Sequence, residues 1–279
     1  MSNVCFQERF AAFLICIVAL LVAVIPILML WDIIREGIPA LSLNFLLENP
    51  SDAGRSGGIA SIIISTLSIL AVCLALVIPL GLGCALYLSE FVDDSSFKAR
   101  VIGLSLDILG GVPSIVFGLF GYAIFAIQLG LGFSILSGGL SLAFMVLPLF
   151  VRTAEQAFRS CPQHYRQTAL ALDITHSGFI KRVLLPVSIG GIAVGLILSI
   201  ARALAETAVL IFTAGYVSRM PDSIMDSGRA LSVHIYDLSM NVPGGQENAA
   251  TTALVLVFII VLINILARFL SHHWQARRV

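Results

Sequence analysis

An all-α integral membrane protein of about six transmembrane helices is the fold this sequence predicts, and three observations predict it. Of 279 residues, 58% are hydrophobic and only 11% are charged. Soluble domains carry about 25% charged residues, so much of this surface has lipid as its solvent. Six apolar runs approach or exceed the roughly 20 residues that a bilayer span requires. Lysine and arginine fall unevenly between the two sets of loops. The chain therefore reads as one helical membrane domain over residues 1–279, with a first span at about 10–30 and core spans over about 60–267.

The runs are Phe10–Leu30, Ala60–Leu88, Leu104–Ile127, Gly139–Val151, Leu184–Ala214 and Ala249–Ala267. The first follows Arg9 as a signal peptide would, but it is longer than a signal core and no small-residue cleavage pattern follows it. It reads as a retained span. The second and fifth are long enough to tilt or to project beyond the bilayer. The fourth is short and is expected to continue into the polar stretch after Val151.

Orientation follows from the positive-inside rule. With the N-terminus inside, the inner set holds eleven cations: Arg9, Lys98, Arg100, five from Arg152 to Arg182, and Arg268, Arg277 and Arg278. The outer set holds four, Arg35, Arg55, Arg219 and Arg229, while Arg202 lies within a span. Both termini are expected to be cytoplasmic. The outer segments Trp31–Gly58 and Gly215–Asn248 are too long for simple turns, and short interfacial helices are expected in them.

Other residues exclude other chemistries. Net charge is zero and no basic block occurs, so nucleic acid is not a partner. The five cysteines have no C-x-x-C spacing and read as small buried hydrophobes. His164, His176, His234, His272 and His273 show no metal-ligand pattern and read as solvated. Glycines cluster inside the spans, and Gly191 and Gly195 have the spacing of close helix association. No G-x-x-x-x-G-K-[ST] loop occurs, so ATP is not bound here by that motif. Zinc-protease and nucleophile-elbow patterns are absent too.

The inner stretch Arg152–Pro186 carries the most local information. Pro162 suits the first turn of a helix. Tyr165, Ala169, Leu170 and Leu172 follow on roughly one face. Thr175 and Ser177 offer N-caps for a second short helix ending near Leu185. Two short helices joined by a tight turn make a projection able to dock in a groove of a soluble protein.

This stretch resembles the coupling loop of type I ABC-importer permeases, whose pattern is Glu-Ala-Ala, three residues, Gly, nine residues, then Ile-x-Leu-Pro. The aligned residues are Gln167, Thr168, Ala169, Asp173, Val183, Leu185 and Pro186. Ala169, Leu185 and Pro186 match, and Val183 is a conservative change. Asp173 stands where the family has glycine, and Asp tolerates the left-handed backbone better than most residues. Arg166 adjoins the motif and is expected to face the ATPase. Gly57–Leu67, GVPSIVFG within Gly111–Gly121, Met145–Ala157 and Arg202–Ala208 are similar to phosphate permeases of the PstA type, in the same order along nearly the whole chain. The resemblance implies the type I importer permease fold in a bacterial inner membrane. It also implies a second related permease subunit, two copies of an ATPase that uses ATP and magnesium, and an external phosphate-binding protein. No cofactor is implied for this chain.

Arg202 and Glu206 stand at i and i+4 within the fifth run, so they are expected on one helix face. Charges at this depth face a cavity, a partner helix or each other. As an anion site, Arg202 would present its planar fork to phosphate oxygens and Glu206 would orient it. As a structural feature, the two would be a buried ion pair between subunits. The Gly110–Ser114 stretch interrupts the third run. Pro113 there makes a packing kink, or the freed N–H groups near Ser114 face the anion. Asp107 is expected near the inner interface, paired with Lys98 or Arg100. Three functions remain open: a phosphate-importer permease, a permease for another oxyanion such as sulfate or molybdate, and an ATP-independent channel or membrane enzyme.

Overall fold

The computed structural model describes residues 2–93 and 95–276. A long α1 (Ser2–Gly37) leads to a short α2 (Leu43–Leu47) and a two-residue antiparallel hairpin, β1 (Pro50–Ser51) with β2 (Ser56–Gly57). Then come α3 (Ala60–Glu90), α4 (Phe97–Gly111) and α5 (Ser114–Gly121), the last extended by π-helical Tyr122–Gln128. α6 (Ile135–Arg159), α7 (Gln163–Ala171) and α8 (His176–Phe179) follow. A π-helical turn, Ile180–Leu184, joins α8 to α9 (Leu185–Ala205). The chain closes with α10 (Ala208–Thr213), α11 (Leu231–Met240) and α12 (Gln246–Ala276).

Among the described residues, five helices are long and apolar enough to cross a membrane, and α4 with α5 meets the same criteria only as a bent pair. The break is larger than a kink: the two arms meet at 100°. Val112 (ψ 132°) and Pro113 (ψ 141°) both leave the helical region, as expected where proline disfavours the α conformation of the residue before it. The fourth run continues past Val151 to Arg159, as its shortness predicts.

Three expected boundaries move. The second short helix of the projection does not end near Leu185, because the π turn carries it unbroken into α9, 30 residues from His176 to Ala205. The fifth run does not continue to Ala214 as one helix. Glu206 is extended (φ −77°, ψ 127°) and α10 begins anew at Ala208. α1 also runs beyond Leu30 to Gly37, taking in Trp31 and Ile34.

Packing centres on α6, which is held between α3 and α9. Ile69, Val77, Leu142, Val146, Phe150 and Leu204 form the heart of the main core. The paired glycines work as close-packing positions. A Cβ on Gly191 would press on Ala157, and one on Gly195 on Thr153, one turn apart on α6. A second core at the Glu90 end of α3 gathers Leu88, Phe158, Phe179 and Leu184. A third, at the Ala60 end, gathers Phe45, Ile59, Ile62 and Leu231. α1 packs along α12, where Thr251 Oγ1 donates to the Gly37 carbonyl at 3.1 Å, but its apolar side chains from Ala12 to Trp31 are exposed.

The interfacial helices expected in the two long segments are α2 and α11. α11 corrects one reading: His234 is not solvated. It is buried beneath Gly54, with Arg229 Nη1 3.3 Å from its Nδ1 and Arg229 bound to Asp237 at 3.0 Å. Burial pushes the imidazole pKa down to about 4. Asp107 pairs with Arg152, not with Lys98 or Arg100. Cys73 and Cys161 are buried as expected, Cys84 is half-buried and Cys16 is exposed on α1. Arg277 and Arg278 lie outside the described residues, as do the side chains of Cys5, Arg9, His272 and His273.

Candidate functional site

Two interrupted helices meet in the interior. α5 packs on α10 so closely that a Cβ on Gly118 would lie 3.1 Å from the Ala208 carbonyl and 3.2 Å from the Val209 Cα. Three residues on, Gly121 meets Thr213 and Ser141. The contacts climb both helices together, so α5 and α10 run parallel, with Gly118, one turn into α5, level with the start of α10. Ser114, half-buried, opens α5. Among the described residues, no hydrogen bond joins it to Arg202 or Glu206.

Arg202 and Glu206 do face one another, but not as neighbours on one continuous helix. Arg202 sits in the last turn of α9 and Glu206 is the residue at which that helix stops. Arg202 Nε lies 3.8 Å from Glu206 Oε1, with the side chains 40% and 17% exposed. That separation is an ion pair without a hydrogen bond. The guanidinium therefore keeps most of its five donors for another group. Glu206 is fixed through its backbone instead: Ser232 Oγ, from α11, donates to its carbonyl at 2.7 Å. Sequence spacing alone could not place Ser232, which is 26 residues away.

At the Glu90 end lies the projection. Thr175 caps α8 through its hydroxyl, which accepts from Gly178 N at 3.3 Å. Asp173 has φ +51°, the left-handed conformation that its place in the turn demands. The expected apolar face of α7 is divided. Ala169 is buried against the chain's own core, whereas Leu170 is 78% exposed, and Tyr165 and Leu172 also face outward. Gln167 and Thr168 are exposed. Leu185 and Pro186 are half-buried in the first turn of α9.

Arg166 turns inward. Its Nη1 and Nη2 donate to the two carboxylate oxygens of Glu90 at 2.7 and 2.6 Å, and it lies 5.5 Å from the centroid of the Phe179 ring. The hydrogen bonds to Glu90 raise its pKa. Glu90 was not singled out by sequence, although a lone carboxylate closing a long apolar run signals a partner elsewhere. A second network joins α4, α6 and α3. Arg152 binds Asp107, Glu155 and the Gly103 carbonyl, while Arg159 binds Glu155 and the Leu88 carbonyl.

Comparison with known proteins fits this architecture. Residues 77–279 match the family model described as binding-protein-dependent transport system inner membrane component. YqgI of Bacillus subtilis, named a probable ABC transporter permease protein, is 30% identical over 279 residues, covering 95% of each chain. The phosphate transport system permease protein PstA 1 of Mycobacterium tuberculosis is 31% identical, covering 92% of this chain and 86% of that one. PstA of Xylella fastidiosa is 31% identical, covering 85% and 83%. Among solved structures, a bacterial ABC transporter involved in the import of alginate superposes with a TM-score of 0.58 at 15% identity, covering 91% of this chain and 95% of that one. The inward-facing MetNI methionine transporter also gives 0.58, at 14% identity, covering 77% and 96%. Family membership selects an importer permease over a channel or membrane enzyme. The chain belongs to the binding-protein-dependent transport system inner membrane components, the multi-span permease subunits of bacterial ABC importers.

Proposed function

We propose that the chain is the phosphate-translocating permease half of an ABC importer. The observation that carries this reading is Arg202: a guanidinium 40% exposed at the interrupted end of an apolar helix, held by a single ion pair of 3.8 Å. Tetrahedral oxyanions fit such a fork. Glu206 lowers the charge of the empty site, accepts from a protonated phosphate oxygen and keeps the anion from binding too tightly to leave. Ser114, in the first turn of α5, would line the same passage. The PstA-type relatives support phosphate as the cargo.

A second, PstC-like permease would supply the other half of the pathway. A PstB-like ATPase dimer would bind ATP and magnesium, and a PstS-like protein would deliver phosphate from outside. Both termini are then cytoplasmic, and α7 and α8 meet the ATPase. Gln167, Thr168 and Leu170 supply the outward contact surface. Asp173 shapes the turn, while Ala169, Leu185 and Pro186 seat the projection on the bundle. ATPase closure displaces the projection and opens the Arg202 region to alternate sides. The test is uptake in proteoliposomes holding the complete complex. Arg202→Ala is expected to lower phosphate uptake at least about 100-fold with assembly intact. Uptake near wild type overturns the site, and competition by sulfate but not phosphate overturns the cargo.

A further inference from the structure

Glu90 ends α3 with its side chain only 1% exposed. A carboxylate in that position costs several kcal/mol unless it is paired and hydrogen-bonded. Arg166 supplies both bonds in one fork-to-fork geometry. Its guanidinium also lies against Phe179, so one residue touches the end of α3, its own helix α7, and α8. Among the described residues, this pair is the one side-chain hydrogen-bonded link between α3 and α7. The projection is also joined to the bundle covalently at both ends, to α6 through Ser160–Pro162 and to α9 through the π turn, and by apolar contacts of Ala169 and Phe179 with Leu88 and Phe158.

We propose that Glu90 and Arg166 are positioning residues that form a clasp, through which displacement of the projection reaches α3. The proposal rests on the reading that α7 and α8 meet the ATPase. Motion then runs along α9 toward Arg202, and the ion pair ties α3 to the same displacement. α3 and α9 both pack on α6 and also touch each other. Without the pair, α3 would follow only through its remaining contacts with α6, α9 and the projection, and the change of access would be incomplete. A buried bidentate pair suits this role because it has one geometry and either holds or parts, whereas apolar contacts slide. It also explains why Arg166 points away from the outward surface of α7.

The test uses the complete complex in proteoliposomes. In the double variant Glu90→Leu/Arg166→Leu, no charge is left stranded, since a buried pair exchanged for apolar side chains commonly leaves a fold intact. The ATPase is expected to copurify as in wild type and hydrolysis to continue, while phosphate carried per ATP falls about tenfold. Arg166→Lys keeps one charged bond and is expected to recover part of that ratio. A wild-type ratio in the double variant overturns the clasp. A second measurement does not depend on how the variant folds. In a chain otherwise free of cysteine, spin labels on Tyr87→Cys and His164→Cys are expected to keep one separation with and without nucleotide. A separation that changes overturns the clasp. Crosslinks that place the ATPase on another segment of the chain overturn the docking reading, and the clasp with it.

Discussion

Arg152 on α6 donates to Asp107 on α4 through Nε at 3.1 Å and Nη2 at 2.7 Å, which fixes the first arm of the broken helix against the central one. The same guanidinium reaches Glu155, whose other oxygen binds Arg159. The two carboxylates are unequally placed, with Asp107 64% exposed and Glu155 10%.

Their removal should therefore cost different amounts. Asp107→Asn is expected to cost below about 1 kcal/mol, as exposed pairs do. Glu155→Gln strands part of two arginines and is expected to cost about 2 kcal/mol. Thermal unfolding of the purified protein in detergent checks the order. An equal or reversed order would show that Glu155 does not organise the network.

Gly121 packs directly on Ser141 and Thr213. Gly121→Ala is expected to destabilise the protein by about 1–3 kcal/mol through overpacking between α5 and α6. Adding Ser141→Gly should return much of that loss. A double variant no better than the single one would place the strain elsewhere.

Asp173 at φ +51° makes the turn between α7 and α8. Asp173→Gly is expected to leave copurification of the ATPase unchanged, since glycine adopts this conformation freely. Asp173→Val should reduce it several-fold, because a β-branched residue is strained there. Equal copurification with Val would mean the turn does not set the docking surface.

His234 links stability to pH. Its pKa is lowered from 6.5 to about 4, so the unfolded state binds the proton first. The stabilisation is complete above about pH 6.5 and is lost as pH falls toward 4, with an upper bound of about 3 kcal/mol. Arg229, beside the ring, opposes the imidazolium, and Asp237 favours it. The unfolding temperature in detergent should fall between pH 7 and 4.5, and His234→Gln should flatten that fall. An identical slope in the variant would exclude His234 as its source.

Much of the fold was legible because lipid imposes a simple rule on length and polarity. The runs beginning at Ala60 and Gly139 located α3 and α6, and Asp173 was legible because one backbone conformation narrows the choice of residue. The third and fifth runs misled in their continuity. Hydropathy averages across Val112–Pro113 and across Glu206–Thr207 alike, and nothing in Ala203–Ala208 resembles a helix stop. The i, i+4 spacing of Arg202 and Glu206 correctly brought them together, though the helix ends beneath them. Glu90 with Arg166, and Asp107 with Arg152, are pairs 76 and 45 residues apart. Charge sign alone cannot choose among so many candidates at one membrane interface. His234 was misread because its burial comes from Gly54, far away in sequence.

The unbroken helix from His176 through the π turn to Ala205 has one more consequence. At 1.5 Å per residue, about 40 Å separate the projection from Arg202 along this single stiff lever. A tilt of about 5° over that length would swing one end by about 3 Å relative to the other. That is roughly the length of a hydrogen bond, enough to make or break contacts at Arg202 without any helix having to unwind.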